Sequence, residues 1–186
     1  MVDIPEFYAK DQAAWRAWLQ KNHDKEKAVW LIYDKGANRK LPWQEIVREA
    51  LCFGWVDSKA GTVSETQSKI YISRRNPKSG WSKINRENIA QLTKQKRMQP
   101  AGLQAVKIAR QNGAWDLLKP IEDMVMPQEL TAQLAKNQQA KTNFDTFSDS
   151  SKRMILFWIY SAKRDNTRAN RIAKTVELAE QNIKAA

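Results

Sequence analysis

Cysteine and histidine are nearly absent from the 186 residues, with Cys52 and His23 the only examples of each. A lone thiol excludes an internal disulfide, and the two side chains together are too few for a zinc site or a haem axial pair. Six glycines leave little material for phosphate-cradling loops, and the sequence has no G-x-S-x-G, Walker-type or H-E-x-x-H pattern. Long apolar runs are also missing. The seven residues MILFWIY (154–160) fall far short of the ~18 a membrane span needs. The opening stretch, MVDIPEFYAKDQAAWRAW, has no basic region followed by an apolar one. These absences predict a cytoplasmic chain with no metal and no cofactor.

What is present is ordinary globular material: 42% hydrophobic and 28% charged residues, with eight tryptophans that a disordered chain would not carry. The net charge of +12 is concentrated. Residues 1–68 balance at zero, residues 69–110 hold eleven basic groups against Glu87 alone, residues 111–150 are net −3, and residues 151–186 are net +5. Such a basic block either draws an anionic partner or keeps the protein in solution.

The pattern along the chain predicts an α+β fold. A first helix runs from about Asp11 to Asn22, capped by Asp11, with Trp15, Trp18 and Leu19 on one face. AVWLIYDKG reads as an inner strand, and Pro42 opens a second helix that Gly54 ends. GWVDS (54–58) and KIYIS (69–73) read as strands of a long hairpin, which makes a small antiparallel sheet packed with helices. Beyond residue 84 everything is helical: one helix capped by Asn85, one started by Pro100, others near 128–137 and 139–147, a fully buried helix around MILFWIY, and a last one capped by Asp165 or Asn166. The expected division is therefore 1–84 and 85–186, as two parts or one continuous core.

Chemistry concentrates in two places. Trp55 and Asp57 share one face of a strand, because side chains alternate with period two, and Arg74 or Arg75 on the neighbouring strand comes within pairing reach of Asp57. One reading is an aromatic core beside an ion pair. The other is a ligand pocket made by Trp55, Asp57, Arg74, Trp81 and Asn85. The second place is basic: Arg75, Lys78, Lys83 and Arg86 around Trp81, and Arg164, Arg168 and Arg171 at helical spacing. These arginines either bind carboxylates and helix ends of the same molecule, or contact nucleic acid or another polyanion. No catalytic set stands out. Cys52 between Leu51 and Phe53 reads as a buried thiol and His23 as a helix C-cap, and an enzymatic use of Asp57 as a general base names no substrate.

The segments ALCFGWVDS (50–58), RNPKSGWSKIN (75–85), MQPAGL (98–103) with AVKIARQNGAW (105–115), and ILFWIYSAKRDNTRANRI (155–172) together resemble the YdeI/OmpD-associated, or bacteriocin-protection, family over most of the chain. The resemblance implies an N-terminal part similar to YjbR/CyaY and YdhG-like α+β proteins, a helical C-terminal region, and a part in stress protection, as tolerance of cationic antimicrobial peptides. It supplies no reaction and no catalytic residues. A protein of charge +12 does not capture cationic peptides by attraction, since like charges repel. The expectation is a non-enzymatic binding protein with a small-ligand or protein partner and no insertion into membranes, with a homodimer left open.

Overall fold

Caps and turn residues place most elements in the computed structural model, which describes residues 4–186. The chain divides into two compact units, Met1–Asp116 and Leu117–Ala186. The change of sequence pattern at 84/85 therefore falls inside the first unit, because the two helices that follow it join that unit's core.

The first unit contains β1 (Glu6–Tyr8), α1 (Gln12–Asn22), β2 (Ala28–Asp34), α2 (Trp43–Cys52), β3 (Trp55–Thr62), β4 (Gln67–Arg74), α3 (Lys83–Lys94) and α4 (Pro100–Gln111). The sheet order is β1-β2-β4-β3. Only β1 runs parallel to its neighbour, so the sheet is mixed rather than wholly antiparallel. A three-residue strand is too short to leave a periodic signal, which is why β1 is invisible in the sequence.

Alternation then sorts the strand residues. Val29 lies opposite Ile72 and Leu31 opposite Ile70, and all four are fully buried. Trp15 and Leu19 of α1 and Ile46, Ala50 and Leu51 of α2 complete the same core. On the other face Trp30 lies opposite Tyr71, with the Lys69 ammonium 5.0 Å from the Trp30 ring centroid and ion-paired to Glu6 at 2.7 Å.

Asp11 caps α1 by accepting from the Ala14 N–H at 2.8 Å. α3 begins earlier than Asn85 suggests: Ser82 is its cap and accepts from the Asn85 backbone N–H. Asn85 is the third residue of the helix, in its first turn, and its backbone N–H is the group satisfied by the cap. α4 begins at Pro100, whose missing N–H is harmless in a first turn.

Among the described residues of this unit one charged side chain is buried. Glu49 of α2 is 1% exposed, and its carboxylate accepts from Arg16 at 2.6 Å, from Gln12 at 2.7 Å and from Arg97 at 2.6 Å. Glu45 accepts from Arg97 at 3.1 Å. α1, α2 and the turn between α3 and α4 are thereby fastened to one carboxylate. The sequence gives no sign of this, since Glu49 reads as the polar side of an amphipathic helix.

The second unit contains α5 (Lys119–Glu122), α6 (Gln128–Lys136), α7 (Gln138–Thr146), α8 (Asp149–Tyr160) and α9 (Asp165–Glu180). Its core includes Leu130, Leu134, Phe144, Ile155, Leu156, Ile159 and Ile172. α8 is not buried all round: Met154 and Phe157 are each 54% exposed. A unit of 70 residues offers one core, and a helix beside it can bury only one side. α9 starts at Asp165 with Arg164 in the cap position and no side-chain cap bond, and its buried stripe is Ile172, Thr175 and Ala179. Among the described residues no helix is long and apolar enough to cross a membrane.

Three substitutions test this packing. A Cβ added at Gly102 would stand 2.2 Å from the Cys52 carbonyl oxygen, a backbone atom that cannot swing away. Gly102→Ala is expected to destabilise by about 3 kcal/mol, the upper range for overpacking, whereas Gly113→Ala, with open space around it and φ +80°, is expected to lose only about 1 kcal/mol. Glu49→Gln is expected to lose about 3 kcal/mol, because Arg16 and Arg97 keep their charge without its counterpart. Urea denaturation of the three variants checks both statements.

Candidate functional site

The end of α2 determines where the cavity forms. Gly54 takes φ +75° to turn the chain from α2 into β3, a conformation that disfavours any side chain. Directly beside it, α4 starts against α2: the Gln99 N–H donates to the Cys52 carbonyl at 3.0 Å, and Gly102 lets the backbones approach. α4 then leads away with Ala101, Ala105 and Ala109 on one side, and these small residues leave space that larger ones would fill.

A cavity of about 320 Å³ results. Its apolar walls are Phe53, Trp55 and Trp81 with the alanine face of α4 and Ile108. Polar groups stand on the remaining sides: His23 and Asp24 after α1, Arg74 at the end of β4 with Arg75 and Asn76 following it, and Gln104 of α4.

Each wall is fixed by bonds. The Trp55 indole N–H donates to the His23 carbonyl at 3.3 Å, and the His23 ring lies 5.1 Å from that of Phe53 with Nδ1 2.9 Å from the Leu19 carbonyl. Trp81 is 1% exposed and packs on Trp115 at 5.1 Å. The Arg75 guanidinium lies 3.8 Å from the Trp81 ring centroid and donates to the Gly80 carbonyl. Burial lowers the Arg75 pKa to about 10, with Asp57 pulling it back up, so the group remains charged at neutral pH. Arg74 donates through Nε to the Glu26 carbonyl at 2.7 Å.

Of the five residues read from the sequence as a pocket, Trp55, Arg74 and Trp81 line this cavity. Asp57 sits opposite Ile72 in the β3–β4 ladder and acts on Arg75 at a distance, and Asn85 lies in the first turn of α3; neither is in the lining. The α4 wall was missed, although the spacing of Ala101, Ala105 and Ala109 at i, i+4 and i+8 is a visible small-residue face.

The basic residues scatter. Arg86 donates to the Trp81 carbonyl, and Arg171 donates to the Trp158 carbonyl and to Ser161 at 3.0 Å. Arg168 lies 3.8 Å from Glu129 and stacks on Tyr160 at 5.5 Å. Lys78, Lys83 and Arg164 are exposed. The cysteine is no nucleophile in this setting: Cys52 is fully buried, and burial, aided by Glu49, pushes its thiol pKa up. Among the described residues no group of three or more His, Cys, Asp and Glu is arranged to hold a metal ion.

A thiol-reactive disulfide reagent is accordingly expected to leave Cys52 untouched in the folded protein and to titrate one equivalent after denaturation, as read by absorbance of the released thiolate.

Comparison with known families divides the chain where the structure does. Residues 7–105, just over half of the chain, match the family described as "Domain of unknown function (DUF8412)". Residues 123–182 match the family described as "Bacteriocin-protection, YdeI or OmpD-Associated". No curated protein and no solved structure matches. The bacteriocin-protection resemblance is thus supported, over the second unit rather than most of the chain, while the expected similarity of the N-terminal part to YjbR/CyaY and YdhG-like proteins receives no support. The chain belongs to the DUF8412 family, and a later segment of it is similar to the second family.

Proposed function

We propose that this DUF8412 member is a non-enzymatic, cytoplasmic binding protein that takes a small ligand into the cavity beside α4 and, through that ligand, contributes to bacteriocin tolerance and stress protection. The observation that carries the reading is the cavity itself: about 320 Å³, walled by aromatic rings and an alanine face, with a few polar groups on the remaining sides. Concave apolar sites with a small number of placed polar groups are the usual form of small-molecule sites. The printed description of the family matched by residues 123–182 supports the protective context.

Two observations favour binding over catalysis. Cys52 is buried with a raised thiol pKa, and Asp57 lies outside the lining, so neither the thiol nor the carboxylate read from the sequence as a nucleophile or base is offered to a ligand; of the two such groups that do line the cavity, Asp24 is exposed to water and His23 is held through Nδ1 at the Leu19 carbonyl. A polyanion partner is less favoured. Arg75, Arg86 and Arg97 of the basic block bond within the unit, which leaves fewer groups for phosphates than the sequence count suggests.

Nitrogen-15 spectra of the indole N–H groups test the reading. Within a panel of small aromatic and aliphatic compounds, at least one is expected to shift the Trp55 and Trp81 signals while leaving that of Trp158, in the second unit, in place. Ala105→Leu, which adds bulk inside the cavity, is expected to abolish those shifts and to leave the spectrum otherwise folded. Compounds that bind the leucine variant as well as the parent would show that the cavity is not the site.

A further inference from the structure

Charge on the cavity wall is lopsided. Two guanidiniums, Arg74 and Arg75, face it against the single carboxylate of Asp24. Arg74 and Asp24 are exposed to water, which screens them, whereas Arg75 is largely desolvated and its field is correspondingly stronger.

Arg75 is also underused as a hydrogen-bond donor. A guanidinium has five N–H donors, and the protein engages one of them, through Gly80. Its Nε is buried and has no partner. The plane of the group is held by the Trp81 face, so its edge has a fixed direction. Nε itself is sealed from the cavity, but the residue is half-buried and lines it, so a planar oxyanion arriving there meets the terminal N–H groups and takes charge-assisted bonds from them.

Resting on the reading of the cavity as a small-ligand site, we propose that its ligand is a small amphipathic monocarboxylate, with the carboxylate on Arg75 and an apolar or aromatic body between Trp55, Trp81 and the alanine face of α4. A single negative charge matches the excess of one positive charge around the lining, and a dianionic phosphate would exceed it. The volume stands at the low end of the ~300–1,000 Å³ of ligand sites, so the body is about one ring or a short chain.

The test uses three probes of one shape, 3-phenylpropionate, 3-phenylpropionamide and 3-phenylpropylamine, titrated calorimetrically into the full chain. The carboxylate is expected to bind at least tenfold more tightly than the amide, and the amine more weakly than either. Arg75→Gln is expected to erase the preference for the carboxylate without weakening the amide, and Arg74→Gln to reduce it only slightly. Preference for the amide or the amine overturns the carboxylate assignment and leaves the cavity as a binding site. A preference that persists unchanged in Arg75→Gln overturns the anchor. Failure of all three probes to bind removes the binding reading and this inference with it. Should Arg75→Gln fail to fold, the ranking of the three probes on the parent protein decides the matter.

Discussion

The approach of α4 to the end of α2 is the constraint on which the first unit's shape depends. Gly102 meets the Cys52 carbonyl so closely that no side chain fits, and the Gln99 N–H takes up that same carbonyl as a hydrogen bond. A helix C-terminus leaves carbonyls without intrahelical partners, and here one of them is satisfied by the start of another helix. Beyond Gly102 the small residues of α4 do two things at once: Ala109 and Ala105 pack with the core, and Ala101, Ala105 and Ala109 also line the cavity. The close approach at Gly102 sets where α4 begins, and the small side chains that follow leave the cavity unfilled.

Electrostatics strengthens the same junction. Arg97 lies in the turn just before α4 and reaches the buried Glu49, which Arg16 and Gln12 also hold. A buried ion pair of this kind contributes little net stability compared with apolar packing, yet removing one member is damaging. Its effect is therefore geometric: it fixes where the 95–99 turn sits, and with it the first turn of α4. The positive excess that dominates the sequence count is thus divided between groups that orient the fold and groups that remain in solvent. Net charge alone is a poor guide to partners in this protein.

Helices and strands were largely legible because the caps and the two periodicities are local signals: Asp11, Pro42, Pro100 and the alternating strand residues each mark their element directly. Errors arose where tertiary packing outweighs local pattern. Ile84 is apolar but 69% exposed, so the start of α3 was placed late, and MILFWIY read as buried all round although only Ile155, Leu156 and Ile159 are. The site was half legible for a similar reason. Trp55, Arg74 and Trp81 are connected through adjacent strand ends, which pairing rules can bring together, whereas α4 reaches the cavity only through the Gly102 crossing. Buried Glu49 was not legible at all, because its partners come from residues 12, 16 and 97.

Protection against a bacteriocin by direct capture conflicts with both the size and the sign of this site. A cavity of about 320 Å³ holds a single small molecule, far less than a folded or helical peptide. Its wall presents guanidinium groups, on a chain of net charge +12, and both repel a cationic peptide at any distance where charge acts. The protective role proposed for the chain is therefore indirect. A small anionic ligand bound beside Trp81 would neutralise a desolvated arginine, and the free energy of that event is available only to the first unit's folded state.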